Sequence, residues 1–232
     1  VSEKNLWLCC EAPLVGWDYF GGWYSHGALS LPIGRLKLAY NTTVYAKWVA
    51  VITEPFIDVQ SDDYFYDAVI WAVDKGITDG MAPDVFGSGE VCTRAQAMMF
   101  LWRAMGSPEP TSTANPFTDV SAGDLYCKAI LWAVENHITA GTSATEFSPD
   151  QTVTRVEFVT FLWRAVGSRI SSGTASPFTD LSDTGAYYFL PVMWAVENSV
   201  TSGTTPTTFG VPDDCERAEV VSFLYAYFAK SI

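Results

Sequence analysis

Apolar positions along this chain follow two different periods. In Val44-Tyr45-Ala46-Lys47-Trp48 they alternate and are rich in aromatic and β-branched side chains, which suits a strand. The pattern predicts strands within residues 15–50. Further on, Phe65, Ala68, Val69 and Ala72 fall at i, i+3, i+4 and i+7, one face of an amphipathic helix. That helix is predicted to end near Lys75-Gly76, with glycine as the left-handed cap. A second helix opens with the capping box Thr93-x-x-Gln96 and ends at Gly106.

The helical pattern recurs twice more, at a spacing of 61 residues, with one residue inserted in the third block between Asp180 and Trp194. Pro55-Phe56-Ile57-Asp58-Val59 returns as Pro116-Phe117-Thr118-Asp119-Val120 and as Pro177-Phe178-Thr179-Asp180-Leu181. Trp71, Trp132 and Trp194 are equivalent, as are Gly80, Gly141 and Gly203. Phe86, Phe147 and Phe209 follow those glycines by six residues, and Arg94, Arg155 and Arg217 come eight residues later. The second block repeats the capping box as Thr154-x-x-Glu157 and the stop at Gly167. Asn136 and Asn198 stand opposite Lys75, and asparagine is the next-best residue after glycine for a left-handed cap. The third block departs: Glu216 replaces the capping threonine, and Pro191 stands where Ala68 and Ala129 do. Proline is tolerated only in a first turn, so that helix is expected to start late, near Leu190. A two-helix block cannot bury its apolar face alone. Three blocks can, most simply around a pseudo-threefold axis.

Composition narrows the functional classes. Of 232 residues, 49% are apolar and 17% charged, enough for a sizeable core. The net charge is −13, and all of it lies downstream of residue 54. Such acidity disfavours nucleic-acid binding and docking on an anionic membrane. No apolar run reaches membrane-spanning length. The chain begins at Val1 rather than Met, as a processed fragment would. Five cysteines without zinc spacing and only two histidines argue against a metal site, and nothing points to a cofactor. Cys92 and Cys215 occupy equivalent positions, opposite Val153. Equivalent positions around an axis are apart unless they line it, so no Cys92–Cys215 disulfide is expected.

The order F-x-D-V, W-A-V-x-x-x-I-T-x-G, then F-x-P-D-x-x-V-T-R-x-E-x-x-x-F-L-W-R-A-x-G resembles the S-layer homology (SLH) domain, in triplicate over residues 55–232. Its T-R-A-E-like motif stands here as Thr93-Arg94-Ala95-Gln96, Thr154-Arg155-Val156-Glu157 and Glu216-Arg217-Ala218-Glu219. The second is the most intact. The resemblance implies a mainly α fold, a three-pronged spindle built from repeats at 54–110, 115–170 and 176–232. It implies a secreted, extracellular protein held non-covalently to a Gram-positive cell wall through a secondary cell-wall polysaccharide, often pyruvylated. The alternative is a surface module that binds a host or sibling protein. Residues 1–53, with Gly16-Trp17-Asp18-Tyr19-Phe20-Gly21-Gly22-Trp23-Tyr24 and Asn41 to Trp48, resemble the second half of a Listeria–Bacteroides repeat, a small β-rich module of surface proteins.

The ligand-binding set implied by the resemblance is led by Arg94, Arg155 and Arg217 in inter-repeat grooves. Beside them come Asp58, Asp119 and Asp180, and Gly80, Gly141 and Gly203. Physical chemistry points to the same arginines. A cation in a helix's first turn opposes the helix dipole, so local stability does not explain it. Free N–H groups at a helix N-terminus attract anions, and guanidinium offers a forked donor to a carboxylate. The competing role is an ion pair with Asp58, Asp119 or Asp180. Arg103 and Arg164, near helix C-termini, read as structural, and the three tryptophans as core. No G-x-S-x-G or H-E-x-x-H motif occurs, and no histidine is shared by the blocks, so the chain is not expected to be an enzyme.

Overall fold

The structure, a computed structural model, describes residues 18–24, 45–50, 56–169, 171 and 176–229. The chain divides into two units, Val1–Pro55 and Phe56–Ile232. In the first, β1 (Asp18–Tyr24) pairs antiparallel with β2 (Tyr45–Ala50), Asp18 opposite Ala50 and Tyr24 opposite Tyr45. The register shifts between Phe20 and Gly22. The rest of the segment expected to form a partial β-rich module lies outside the described residues.

The second unit is helical. Its elements are α1 (Tyr66–Asp74), α2 (Arg94–Ala104), α3 (Cys127–Glu135), α4 (Arg155–Ala165), α5 (Phe189–Glu197) and α6 (Arg217–Phe228). The predicted stripe of α1 buries Ala68, Val69 and Ala72. Both predicted capping boxes form, closed by Thr93 with Gln96 and by Thr154 with Glu157. In the third block, the Glu216 N–H still donates to Glu219 Oε2 at 3.1 Å, so half of the device survives without threonine.

Two expectations about helix ends are corrected. Asn136 and Asn198 do not take the left-handed conformation; their φ values are −91° and −93°. The left-handed residues are the next ones, Gly76, His137 and Ser199. Each closes a Schellman turn, in which the N–H groups of Ile77, Ile138 and Val200 reach the carbonyls of Ala72, Ala133 and Ala195 at 2.8 Å. The asparagines instead donate their side-chain amides to the Trp132 and Trp194 carbonyls at 2.8 Å, oxygens that also accept the asparagines' own backbone N–H groups at 3.0 Å. α5 starts within one residue of the expected Leu190, but not later than its counterparts. It begins at Phe189, in register with Tyr66 and Cys127, because Pro191 then falls in the first turn, where its missing N–H has no intrahelical partner to lose.

Consecutive helices of one block are not each other's main partners. α2 packs on α3, α4 on α5, and α6 returns to pack on α1. Each second helix thus joins the first helix of the following block, and the last block joins the first. At the centre, the Cys92 N–H donates to the Cys215 carbonyl (2.8 Å), Cys215 to Val153 (2.8 Å) and Val153 to Cys92 (3.0 Å). This closed triangle has one equivalent residue from each block, all fully buried. It corrects the expectation that Cys92 and Cys215 lie apart. Both are nonetheless free thiols. Burial pushes the Cys92 thiol up to about 12.

Gly141 shows how tightly the inter-helix loop is wound. Its φ is +85°, and a Cβ there would sit 2.5 Å from both the Glu146 carbonyl oxygen and the Phe117 ring. Gly141→Ala is expected to lower stability by about 1–3 kcal/mol. Gly123→Ala meets no atom within 4 Å and should stay within about 0.5 kcal/mol of wild type. Urea unfolding of the two variants measures the difference.

Candidate ligand site at the block junctions

Each block carries a loop between its two helices, and an aspartate holds the loop's far end. Asp58 accepts hydrogen bonds from the N–H groups of Phe86 (2.8 Å), Gly87 (2.7 Å) and Ser88 (3.0 Å). Asp119 accepts from Phe147 and Ser148 (2.9 and 2.7 Å), and Asp180 from Phe209, Gly210 and Val211 (2.8 to 3.1 Å). Burial alone raises these carboxyl pKa values, but the backbone donors outweigh it and all three end below the ordinary value.

The loop so fixed presents its phenylalanine ring and carbonyl to the arginine of the preceding block. Arg94 Nε donates to Phe147 O at 3.0 Å, Arg155 to Phe209 O at 3.1 Å, and Arg217, closing the circle, to Phe86 O at 3.0 Å. Each guanidinium also lies over two rings. Arg94 sits 5.0 Å from Phe147 and 5.5 Å from Phe161; Arg155 faces Phe209 and Phe223, and Arg217 faces Phe86 and Phe100. All three arginines are only 3% exposed. Burial lowers the pKa of Arg94 and Arg217.

Two parts of the sequence reading change here. The arginines do not pair with Asp58, Asp119 or Asp180, whose oxygens are committed to the loops. Arg94 pairs instead with Glu157 at 3.4 Å and Arg155 with Glu219, the capping-box residues of the next block. Nor are the helix N-termini free for anions. The N–H groups of Arg94, Arg155 and Arg217 donate to Gln151, Asp213 and Glu90 carbonyls at 2.8 to 3.0 Å, because the neighbouring block lays its backbone across them. Arg103 and Arg164 donate to Ile77 and Ile138 carbonyls at 2.9 Å within their own blocks, a structural role. Trp132 and Trp194 are core; Trp71 is half-buried against Tyr225.

A groove of about 820 Å³ opens beside Arg155 and Glu219. Its walls come from all three blocks: Tyr64, Asp67 and Ala68 from the first, Arg155 from the second, and the 199–204 loop with Phe178, Ser222, Phe223 and Tyr225 from the third. Arg155 and Gly203, among the predicted residues, line it; Asp180 stands behind, holding the loop. Hydroxyls are plentiful, from Ser199, Thr201, Ser202, Thr204 and Ser222. Tyr64 is 74% exposed. Desolvation, together with the charges of Glu219 and Glu216, pushes its pKa up to about 12. Tyr187 is the matching residue beside Glu157 and Arg94, shifted in the same direction by burial and by Glu157. Sequence reasoning missed Glu157, Glu219, Tyr64 and Tyr187. The glutamates were legible only as helix caps, and the signal that could have found the tyrosines was their shared repeat position, with Leu125.

A family model described as the S-layer homology domain matches residues 55–98, 116–159 and 177–221. These segments make up more than half of the chain, which belongs to that family. Among curated relatives, the chain is 34% identical over 140 residues to the surface-layer 125 kDa protein of Lysinibacillus sphaericus, covering 60% of this chain and 12% of that protein. It is 25% identical over 178 residues to an S-layer protein of Bacillus thuringiensis subsp. finitimus, covering 76% and 21%. It is also 22% identical over 219 residues to an amylopullulanase of Thermoanaerobacterium thermosulfurigenes, covering 93% and 11%. The chain thus spans about a fifth or less of these relatives' lengths. The family and its surface-layer members place it at the cell surface. Among the described residues, no helix is long and apolar enough to cross a membrane.

The depressed aspartates carry a pH dependence of known sign. The folded state binds fewer protons than the unfolded one, so their contribution is complete above the unfolded carboxylate pKa near ~3.9 and fades as pH falls below it. Asp119→Ala is expected to cost about 1.5–3 kcal/mol at pH 7. The gap from wild type should narrow at pH 3, as read by urea unfolding at both pH values.

Proposed function

We propose that the chain anchors a secreted bacterial protein to the cell wall, without a covalent bond, by holding a secondary cell-wall polysaccharide in the grooves between blocks. Repeats at 54–110, 115–170 and 176–232 form a pseudo-threefold helical spindle. The Cys92–Val153–Cys215 triangle and the return of α6 onto α1 support that architecture. The observation that carries the binding reading is the groove at Arg155. It combines a cation, a carboxylate, a tyrosine hydroxyl and several serine and threonine hydroxyls around an open cleft, the mixture that sugar recognition uses. A pyruvylated sugar adds a carboxylate suited to guanidinium. The module is read as a binder rather than a catalyst. The amylopullulanase match covers only 11% of that protein, leaving ample room for its named activity elsewhere. Residues 1–53 are read as a partial Listeria–Bacteroides-like spacer.

Because each arginine ties two blocks together, alanine at these positions confounds folding with binding. Exposed groove residues give the cleaner test. Ser202→Trp, which fills the cleft, and Tyr64→Ala are expected to reduce cosedimentation with cell-wall sacculi several-fold, with unchanged circular dichroism. Acid extraction of the non-peptidoglycan polymer should abolish wild-type sedimentation. The net charge of −13 repels an anionic polymer, so moderate salt should not weaken binding. Sedimentation that survives acid extraction, or that ignores both substitutions, would point instead to a protein partner on the surface.

A further inference from the structure

The three blocks close a circle, but only two of its seams are covalent. The chain itself joins the first block to the second and the second to the third. The first and third blocks meet at positions more than a hundred residues apart in sequence. They are held by packing of α6 on α1, by Arg217 on the Phe86 carbonyl and by backbone hydrogen bonds. Two free cysteines face each other across that one seam.

Their placement follows from strand geometry. Val91 pairs antiparallel with Glu216 in an isolated bridge, closed by the Cys92 N–H on Cys215 O at 2.8 Å and the Arg217 N–H on Glu90 O at 2.9 Å. One step inward on each chain, Cys92 therefore stands opposite Cys215. Residues opposite each other in an antiparallel pair put their side chains on the same face. The alternation is kept here: Val91 and Glu216 are exposed, and both cysteines are fully buried. Directly opposed Cα atoms lie about 4.5–5.5 Å apart, inside the range of about 4.4–6.8 Å that a disulfide spans. The thiols also feel each other, since a charge on Cys92 raises the pKa of Cys215. The third corner of the triangle is Val153, so a cross-link there joins the first block to the third and no other pair. Valine at that corner also shows that packing alone does not call for a thiol.

We propose that Cys92 and Cys215 form an oxidisable clasp, a disulfide that makes the seam between the first and third blocks covalent. The clasp does not depend on the wall-polymer reading. Its oxidant is a small-molecule disulfide of the glutathione class. The thiolate of one cysteine attacks that disulfide, releasing one thiol and leaving a mixed disulfide. The thiolate of the other attacks the protein sulfur and expels the second thiol. The protein loses two electrons, the small disulfide gains them, and the two cysteine protons end on the released thiols. Burial raises the pKa of both cysteines and so suppresses thiolate in the closed fold. Exchange therefore proceeds while the seam is open, during folding or transient opening, and the bond then holds the seam shut. A cell-surface setting preserves such a bond, where a cytosolic thiol pool would reduce it.

The test refolds the reduced full chain from urea in glutathione disulfide, quenches with N-ethylmaleimide and maps links by mass spectrometry of an unreduced digest. A peptide joining Cys92 to Cys215 is expected. The urea midpoint of the oxidised protein should rise by roughly 1 M, and dithiothreitol should return it to the reduced value. Cys92→Val, which copies Val153, should keep the reduced midpoint with or without oxidant. Failure to form the link, or a link that leaves the midpoint unchanged, overturns the proposal. A rise that persists in Cys92→Val assigns the effect to another cysteine and overturns it as well. Should Cys92→Val not fold, the wild-type digest and its midpoint with and without dithiothreitol decide.

Discussion

The buried guanidinium of one block, hydrogen-bonded to a phenylalanine carbonyl of the next, is the contact on which the helical unit depends. It is made three times and closes a circle, Arg94 to Phe147, Arg155 to Phe209 and Arg217 to Phe86. A charge taken out of water this completely destabilises unless its surroundings are set in advance. The surroundings here are two aromatic faces, a carbonyl and, at two of the three junctions, a carboxylate. None of these groups belongs to the arginine's own block, so no block can satisfy its arginine alone.

That demand explains the rest of the loop. The phenylalanine carbonyl can face the arginine only if the backbone around it turns sharply, and the aspartate anchors that turn by accepting successive N–H groups. The left-handed glycine at the other end lets the chain pass against the first phenylalanine of the block with no room for a Cβ. Backbone from the same neighbouring block covers the N–H of the arginine, and the Cys92–Val153–Cys215 triangle lies immediately upstream. Helix start, loop end and central triangle are thus three faces of one interblock contact, and rigidity at one passes to the others.

The arrangement suits a module that must resist being pulled away. Last block and first block are joined as closely as consecutive ones, through α6 on α1 and Arg217 on the Phe86 loop. The open groove lies beside Arg155, where exposed Tyr64, loop hydroxyls and the capping Glu219 meet. At the Arg155 junction the arginine that joins the blocks is buried, while the groove beside it is polar and open.

Local chemistry was enough to read most of the elements. A 3.6-residue period, threonine with glutamine or glutamate three residues on, and glycine after the last turn are short-range signals, and helices with caps formed where they stood. The triplicate spacing alone also implied that the blocks share a core, because none could bury its own face. What an arginine touches was not legible, because Glu157 and Glu219 lie 63 and 64 residues beyond Arg94 and Arg155. In the sequence they look like helix caps, while the aspartates look like the natural countercharges. Only the tertiary structure decided between them: backbone N–H groups saturate the aspartates first, and the exchange of helix partners brings the next block's cap to the guanidinium. The same closure brought Cys92 and Cys215 to the centre. Spacing along a chain says which positions are equivalent, but not how near equivalent positions come to one another once the blocks have packed.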